Sequence, residues 1–187
     1  MLIDTALKEW SVAVDALADG EMMMLLRKGG IKEAQGRFSA QAENVLLFPT
    51  FEHQQPALLM PQYQVAVKPV TQGWHPQTIT LKAWATITDI FLTQDTDKVA
   101  ALSAFHIWQP ELAQARLKWK ASQPLYVLAL RTYRLAAPVE IPWQAEYGGC
   151  RSWIALASAQ SVSRAVPAMS DGAYQQQVSA IAAHLSG

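Results

Sequence analysis

Four clusters of residues in this chain have types and spacing that can do chemistry. Phe48-Pro49-Thr50-Phe51-Glu52-His53-Gln54 sets a carboxylate, an imidazole and an amide in succession after an apolar run. Glu52 and His53 can exchange a proton as acid and base. Gln54 and Thr50 can instead hydrogen-bond the edge of a nucleobase, or the segment is a solvent turn. Arg27-Lys28-Gly29-Gly30 sets two cations at the mouth of a glycine turn, an arrangement that suits an anion such as phosphate. Gly148-Gly149-Cys150-Arg151-Ser152 sets an arginine beside the single cysteine, where it can lower the thiol pKa. A small buried residue in a tight turn is the alternative. Arg116-Leu117-Lys118-Trp119-Lys120 interleaves cations with an aromatic ring, which can stack a base and neutralise phosphate, or snorkel at a core edge.

Other chemistries are disfavoured. His53, His75, His106 and His184 are widely spaced and none neighbours Cys150. A structural zinc site needs about four ligands, so neither a metal nor a cofactor is expected. The glycine-rich dinucleotide and phosphate loops and the Gly-x-Ser-x-Gly elbow are absent. No acid lies two residues before a lysine, so the Glu-x-Lys half-motif of many metal-dependent nucleases is missing too.

These residues need a scaffold, and the composition supplies one. The 187 residues are 51% hydrophobic and 16% charged, enough for a sizeable core in one domain. Net charge is zero, so attraction to nucleic acid must be local. Leu112 to Val139 holds Arg116, Lys118, Lys120, Arg131 and Arg134 and no acid, which reads as an anion-facing segment or a solvated face. One cysteine permits no intrachain disulfide. No signal peptide or membrane-spanning run is evident, so a cytoplasmic protein without membrane partners is expected.

Periodicity then places the clusters on elements. Leu7, Trp10, Val14 and Leu17 form one stripe, predicting a helix over 5–18 that Gly20 ends in the left-handed conformation. Met22 to Leu26 reads as a buried strand, so Arg27 and Lys28 follow a helix–Gly–strand unit. Residues 31–43 read as a loop or short helix, Val45 to Phe48 as a strand, and Tyr63 to Val67 as one extended piece among prolines. Thr78 to Thr93 reads as a long strand or bent pair. A helix is predicted over 95–108, with Asp95 near its cap, and a helical turn from Pro110 toward Arg116. Leu125 to Leu135 and Ile154 to Ala157 read as strands. Residues 1–157 make the predicted domain, and 158–187 an Ala/Gln-rich helical appendage. Asp171 would cap that helix, which could dock a partner or a second copy.

Leu7-Lys8-Glu9-Trp10, Leu25 to Ile31, Phe48-Pro49-Thr50 with Glu52-His53-Gln54, and Tyr147 to Trp153 together resemble the bacterial domain-of-unknown-function 1802 family. The resemblance spans roughly residues 5 to 157. It implies no established activity. It implies an association with restriction-type nuclease domains, and so a DNA-related role. The element order also resembles ASCH and PUA-like barrels. The ASCH motif Gly-x-Lys-x-x-Glu-x-Arg falls here on Gly20, Met22, Leu25 and Arg27, matching the glycine and arginine and lacking the lysine and glutamate. Those departures speak for binding over hydrolysis. The expectation is an α+β protein: a small mixed twisted sheet or PUA-like barrel, flanking helices and a C-terminal helix. It would bind DNA or RNA through Arg27, Lys28, Gly29, Gly30, Gln54, Trp119, Arg151 and Ser152. Glu52 and His53 are the candidates for catalysis, as in a hydrolase acting on nucleotides or nucleic acid.

Overall fold

The computed structural model describes residues 1–29, 31–34 and 37–186, with the side chains of 32–34 and 37–39 left aside. In chain order the elements are β1 (Leu2–Trp10), α1 (Ser11–Asp19), β2 (Met24–Arg27), β3 (Ile31–Ala34), β4 (Arg37–Ala40), β5 (Asn44–Thr50) and α2 (Pro61–Gln64). Then follow β6 (Thr78–Thr93), α3 (Thr96–Ala101), α4 (Pro110–Lys118), β7 (Leu125–Pro142), β8 (Trp153–Ser161), β9 (Val166–Pro167) and α5 (Asp171–Ser186). The class is α+β. One mixed seven-stranded sheet has the order β2-β7-β6-β5-β1-β8, with β9 beside β7, and β3 and β4 form a separate hairpin. β1 and β5 are parallel, while the other pairs in the sheet are antiparallel.

The expected helix over 5–18 is half strand. β1 occupies Leu2–Trp10, and the helix starts only at Ser11. β1 lies between β5 and β8, and a strand covered on both faces loses its alternation. Ala6 and Leu7 are both fully buried, so the helical spacing of Leu7 and Trp10 was coincidental. The second half of the stripe is real: Val14 and Leu17 are buried in α1. Gly20 ends the helix at φ 74°, as expected.

Three other expectations are corrected. Residues 31–43 contain the β3–β4 hairpin rather than a loop or helix. Tyr63 lies in the helical turn α2, which starts at Pro61, and not in an extended piece. The helix expected over 95–108 is α3 and a 3-10 turn, Leu102–Phe105, after which Trp108 bridges to Leu59. Asp95 does cap α3, accepting from the backbone N–H of Asp97 and Lys98.

β7 runs well past Leu135, through Pro138. Arg134 pairs with Ala83 and Val139 with Leu81, so the ladder skips the residues between at a bulge. Pro138 sits in that bulge, where its missing N–H costs no ladder bond. β8 likewise crosses 157 and continues to Ser161. α5 buries Tyr174 and Ile181 in a cluster with Met24, Leu26, Val127 and Ala129 of β2 and β7. The Tyr174 hydroxyl meets Thr88 Oγ1 at 2.6 Å.

α1 packs against β1, β5, β6 and β7, and its buried residues join those strands in one apolar cluster. β2 and β8 are at opposite ends of the strand order. At one place side chains rather than a ladder link the two sides: Arg27 at the end of β2 reaches Glu9 and the Lys8 carbonyl of β1 and Ser152 before β8. No described helix is long and apolar enough to cross a membrane.

Candidate functional site

The gap between the sheet ends opens into a cleft of about 630 Å³. That is the size of a small-molecule or single-nucleotide site. Its lining comes from β1 (Lys8, Glu9, Trp10), the end of β2 (Arg27), β5 and its following turn (Phe48 to His53), the 72–76 loop, α4 (Arg116) and the 147–152 loop.

The floor is a charged cluster. Arg27 Nη2 donates to the Lys8 carbonyl at 2.7 Å and stands 3.1 Å from Glu9 Oε2, and Nη1 donates to Ser152 Oγ at 3.4 Å. Arg116 Nη1 donates to the Leu26 carbonyl at 2.7 Å, while its Nη2 is 3.9 Å from Glu9 Oε1, beyond hydrogen-bond reach. Glu9 is 4% exposed, and its Oε1 accepts from the Trp10 N–H at 2.9 Å. Glu9 Oε2 and Arg27 Nε are buried without an aligned hydrogen bond. The Arg27–Glu9 contact is therefore an ion pair set by charge more than by direction. Burial holds the Arg116 guanidinium below its ordinary value; Glu9 opposes that shift and Arg27 adds to it. Lys8 Nζ donates to the carbonyls of Tyr147 at 2.7 Å and Gly149 at 2.9 Å. Burial lowers its pKa as well, and nearby Glu52 partly restores it.

The walls carry aromatic faces. His75 stacks on Trp143 with centroids 3.4 Å apart, and Phe51 meets Trp74 edge-on at 5.9 Å. Trp74 is 43% exposed. Glu52 Oε1 accepts from the Gly73 N–H at 2.7 Å, tying the two wall loops together. His53 follows with φ 62°, an uncommon conformation for a side-chain-bearing residue. Arg151 is exposed at the rim, and its guanidinium has no partner among the described residues. Gly149, at φ 74°, has open space beside it.

The structure brings Arg27, Glu52, His53, Arg151 and Ser152 into this one cleft. It does not bring the other expected residues there. Gln54 caps α1, its Oε1 accepting from Ser11 Oγ at 3.1 Å and the Val12 N–H at 3.3 Å. Lys28 turns to the carbonyls of Gln123 and Lys120, fastening the loop before β7. Trp119 is 57% exposed, lies off the cleft lining and has Lys120 over its ring at 4.7 Å. Gly29 is also off the lining, and Gly30 lies outside the described residues.

The acid-free segment divides in the same way. Arg131 bonds the Met169 carbonyl and Asp171, and Arg134 bonds the Ala18 carbonyl and Asp19. These cations cross-link the fold, and only Arg116 of that segment's cations reaches the cleft. Arg116 is the one residue of the Arg116–Lys120 cluster that reaches the cleft, and sequence reasoning missed Lys8, Glu9, Trp74, His75 and Trp143 as site residues. Lys8-Glu9-Trp10 carried the one available signal, a charged pair set within an apolar pattern. Among the described residues no group of three or more His, Cys, Asp or Glu is placed to hold a metal ion.

Comparison with known proteins adds the family. No curated protein matches the chain. A solved structure of a ZmASCH mutant protein from Zymomonas mobilis is similar over 94% of both chains, at 11% identity and a TM-score of 0.48. The family model described as domain of unknown function DUF1802 matches residues 6–180, from β1 into α5. The chain belongs to the DUF1802 family.

Proposed function

We propose that this protein is a nucleic-acid-binding module whose RNA or DNA ligand lies in the cleft between the sheet ends. One observation carries the reading: Lys8, Arg27, Arg116 and Arg151 line the cleft against only two carboxylates, Glu9 and Glu52, beside the partly exposed Trp74. Cations that neutralise phosphate next to an aromatic platform are the two parts of single-strand binding. The surplus of positive charge is local in a chain of zero net charge, so binding depends on the cleft and not on long-range attraction. A gel-shift panel of single- and double-stranded DNA and RNA at two salt concentrations tests this. Binding that weakens with salt is expected, and no binding at low salt rejects the reading.

A hydrolase acting on nucleotides or nucleic acid is the second reading. It rests on Glu52 and His53 both lining the cleft, with His53 in its left-handed conformation. Glu52→Gln would then abolish turnover while binding persists. Full activity in that variant rejects Glu52 as the acid or base.

A further inference from the structure

The cations of the cleft lie at two depths. Arg151 is at the exposed rim, whereas the side chains of Arg27 and Arg116 are 14% and 23% exposed beside a Glu9 that is 4% exposed. The lining also reaches Phe48, Ile79 and Tyr147, each 3% exposed or less. The cleft therefore extends below the surface. At its floor Arg27 and Arg116 share the one carboxylate Glu9, Lys8 lies near Glu52, and with Arg151 the cleft's four cations face two carboxylates, a surplus of two positive charges. Lys8 and Arg116 spend hydrogens on backbone carbonyls, which hold them without neutralising them. Arg27 Nε and Arg116 Nη2 have no aligned acceptor. Desolvated cations of this kind call for an anionic partner.

An internal phosphodiester cannot fill that floor well. It carries one negative charge and is flanked by sugar on both sides, so it follows the rim. A terminal phosphomonoester carries about two negative charges at neutral pH and presents three free oxygens. Its charge matches the surplus, and its one free side lets it descend. The volume of about 630 Å³ also suits one nucleotide better than a length of strand.

Resting on the nucleic-acid reading above, we propose that the cleft recognises a phosphorylated nucleotide end, with the terminal phosphate on the Arg27–Arg116–Lys8 floor and its base against Trp74. The strand then leaves past Arg151 at the rim.

The test is competition against one internally labelled, end-phosphorylated single strand. The competitors are the same strand with a 5′-phosphate, a 3′-phosphate or hydroxyls at both ends, the closed circle, and a nucleoside monophosphate. One phosphorylated linear strand is expected to compete at least about tenfold better than the hydroxyl-ended strand or the circle, the loss of one charge-assisted contact. The 5′ and 3′ arms identify which end is bound. A monophosphate that competes equally supports the floor and identifies a free nucleotide as the ligand. Equal competition by circle, hydroxyl-ended and phosphorylated strands overturns end recognition and leaves the groove reading standing. Failure of every strand to bind rejects the groove reading itself. Arg151→Ala should weaken all strands alike and keep the ratio, whereas Arg116→Gln should collapse it. Should Arg116→Gln not fold, Lys8→Gln probes the same floor, and an unchanged ratio in the folded variant overturns the proposal.

Discussion

Arg27 at the end of β2 stands 3.1 Å from Glu9 of β1 and donates to the neighbouring Lys8 carbonyl at 2.7 Å. β2 ends one side of the sheet order, and β1 is the next-to-last strand on the other. The pair therefore closes a seam that no backbone ladder crosses among the described residues. The residue expected to touch ligand also holds the fold together at the place where the cleft opens.

Arg27→Ala is accordingly expected to cost stability as well as binding. Removing one partner of a buried ion pair leaves the other uncompensated, typically at about 3–5 kcal/mol. Urea unfolding of Arg27→Ala, Glu9→Ala and the double variant measures the coupling. A double variant as unstable as the sum of the singles would show that the two residues do not act together.

His106 gives a pH dependence to stability. It is 5% exposed, Nδ1 accepts from the Trp108 N–H at 3.3 Å, and burial, with Arg116 nearby, lowers its pKa to about 4. In the unfolded chain it titrates at its ordinary value of 6.5. Between these values the unfolded state holds the extra proton, so stability rises with pH there. Its contribution is full above about 6.5 and is lost as pH falls toward 4, up to about 3 kcal/mol. Urea midpoints across that range should decline toward acid in the wild type and decline less in His106→Gln. Parallel profiles would contradict this.

Gly20 cannot take a side chain. Its φ is 74°, and a Cβ would lie 2.4 Å from the Ala168 carbonyl oxygen. Gly20→Ala adds a backbone clash to left-handed strain, and a loss of more than about 2 kcal/mol is expected. Thermal unfolding checks it, with Gly29→Ala as comparison because open space surrounds that site.

Gln54 is expected to matter for folding and not for ligand. Gln54→Ala removes the acceptor from Ser11 Oγ and the Val12 N–H at the start of α1. A cost of about 1 kcal/mol is expected, as for loss of a helix cap. Unfolding and binding titrations on the same variant separate the two roles. A large affinity loss at unchanged stability would return Gln54 to the site.

Much of the fold was legible in the sequence. The Met22–Leu26 run, the Thr78–Thr93 strand, the Pro110 helix start and the Asp95 and Gly20 caps are written in local pattern. The cleft lining was legible where a charged or polar residue flanked a buried strand or a glycine turn, as at Arg27, Glu52, His53, Arg151 and Ser152. Lys8 and Glu9 were hidden because β1 is covered on both faces and its spacing mimics a helix. Arg116 was legible only as one cation of a run in which Arg131 and Arg134 bind the fold itself. Trp119 and Lys28 had suitable chemistry, but their place relative to the cleft is set by how α4 leads into β7, which no local pattern encodes.

The central claim is that the cleft binds nucleic acid through phosphate, and Arg151 tests it most directly. Its side chain is exposed and unpartnered among the described residues, so Arg151→Ala should leave the fold intact. The decisive measurement is the affinity of wild type and Arg151→Ala for a labelled single strand across a range of salt. The expected result is salt-sensitive wild-type binding, weaker binding by the variant, and a fall of about 1 in the slope of log K against log salt. Wild-type binding with no salt dependence, or a variant with unchanged affinity and slope, would contradict it.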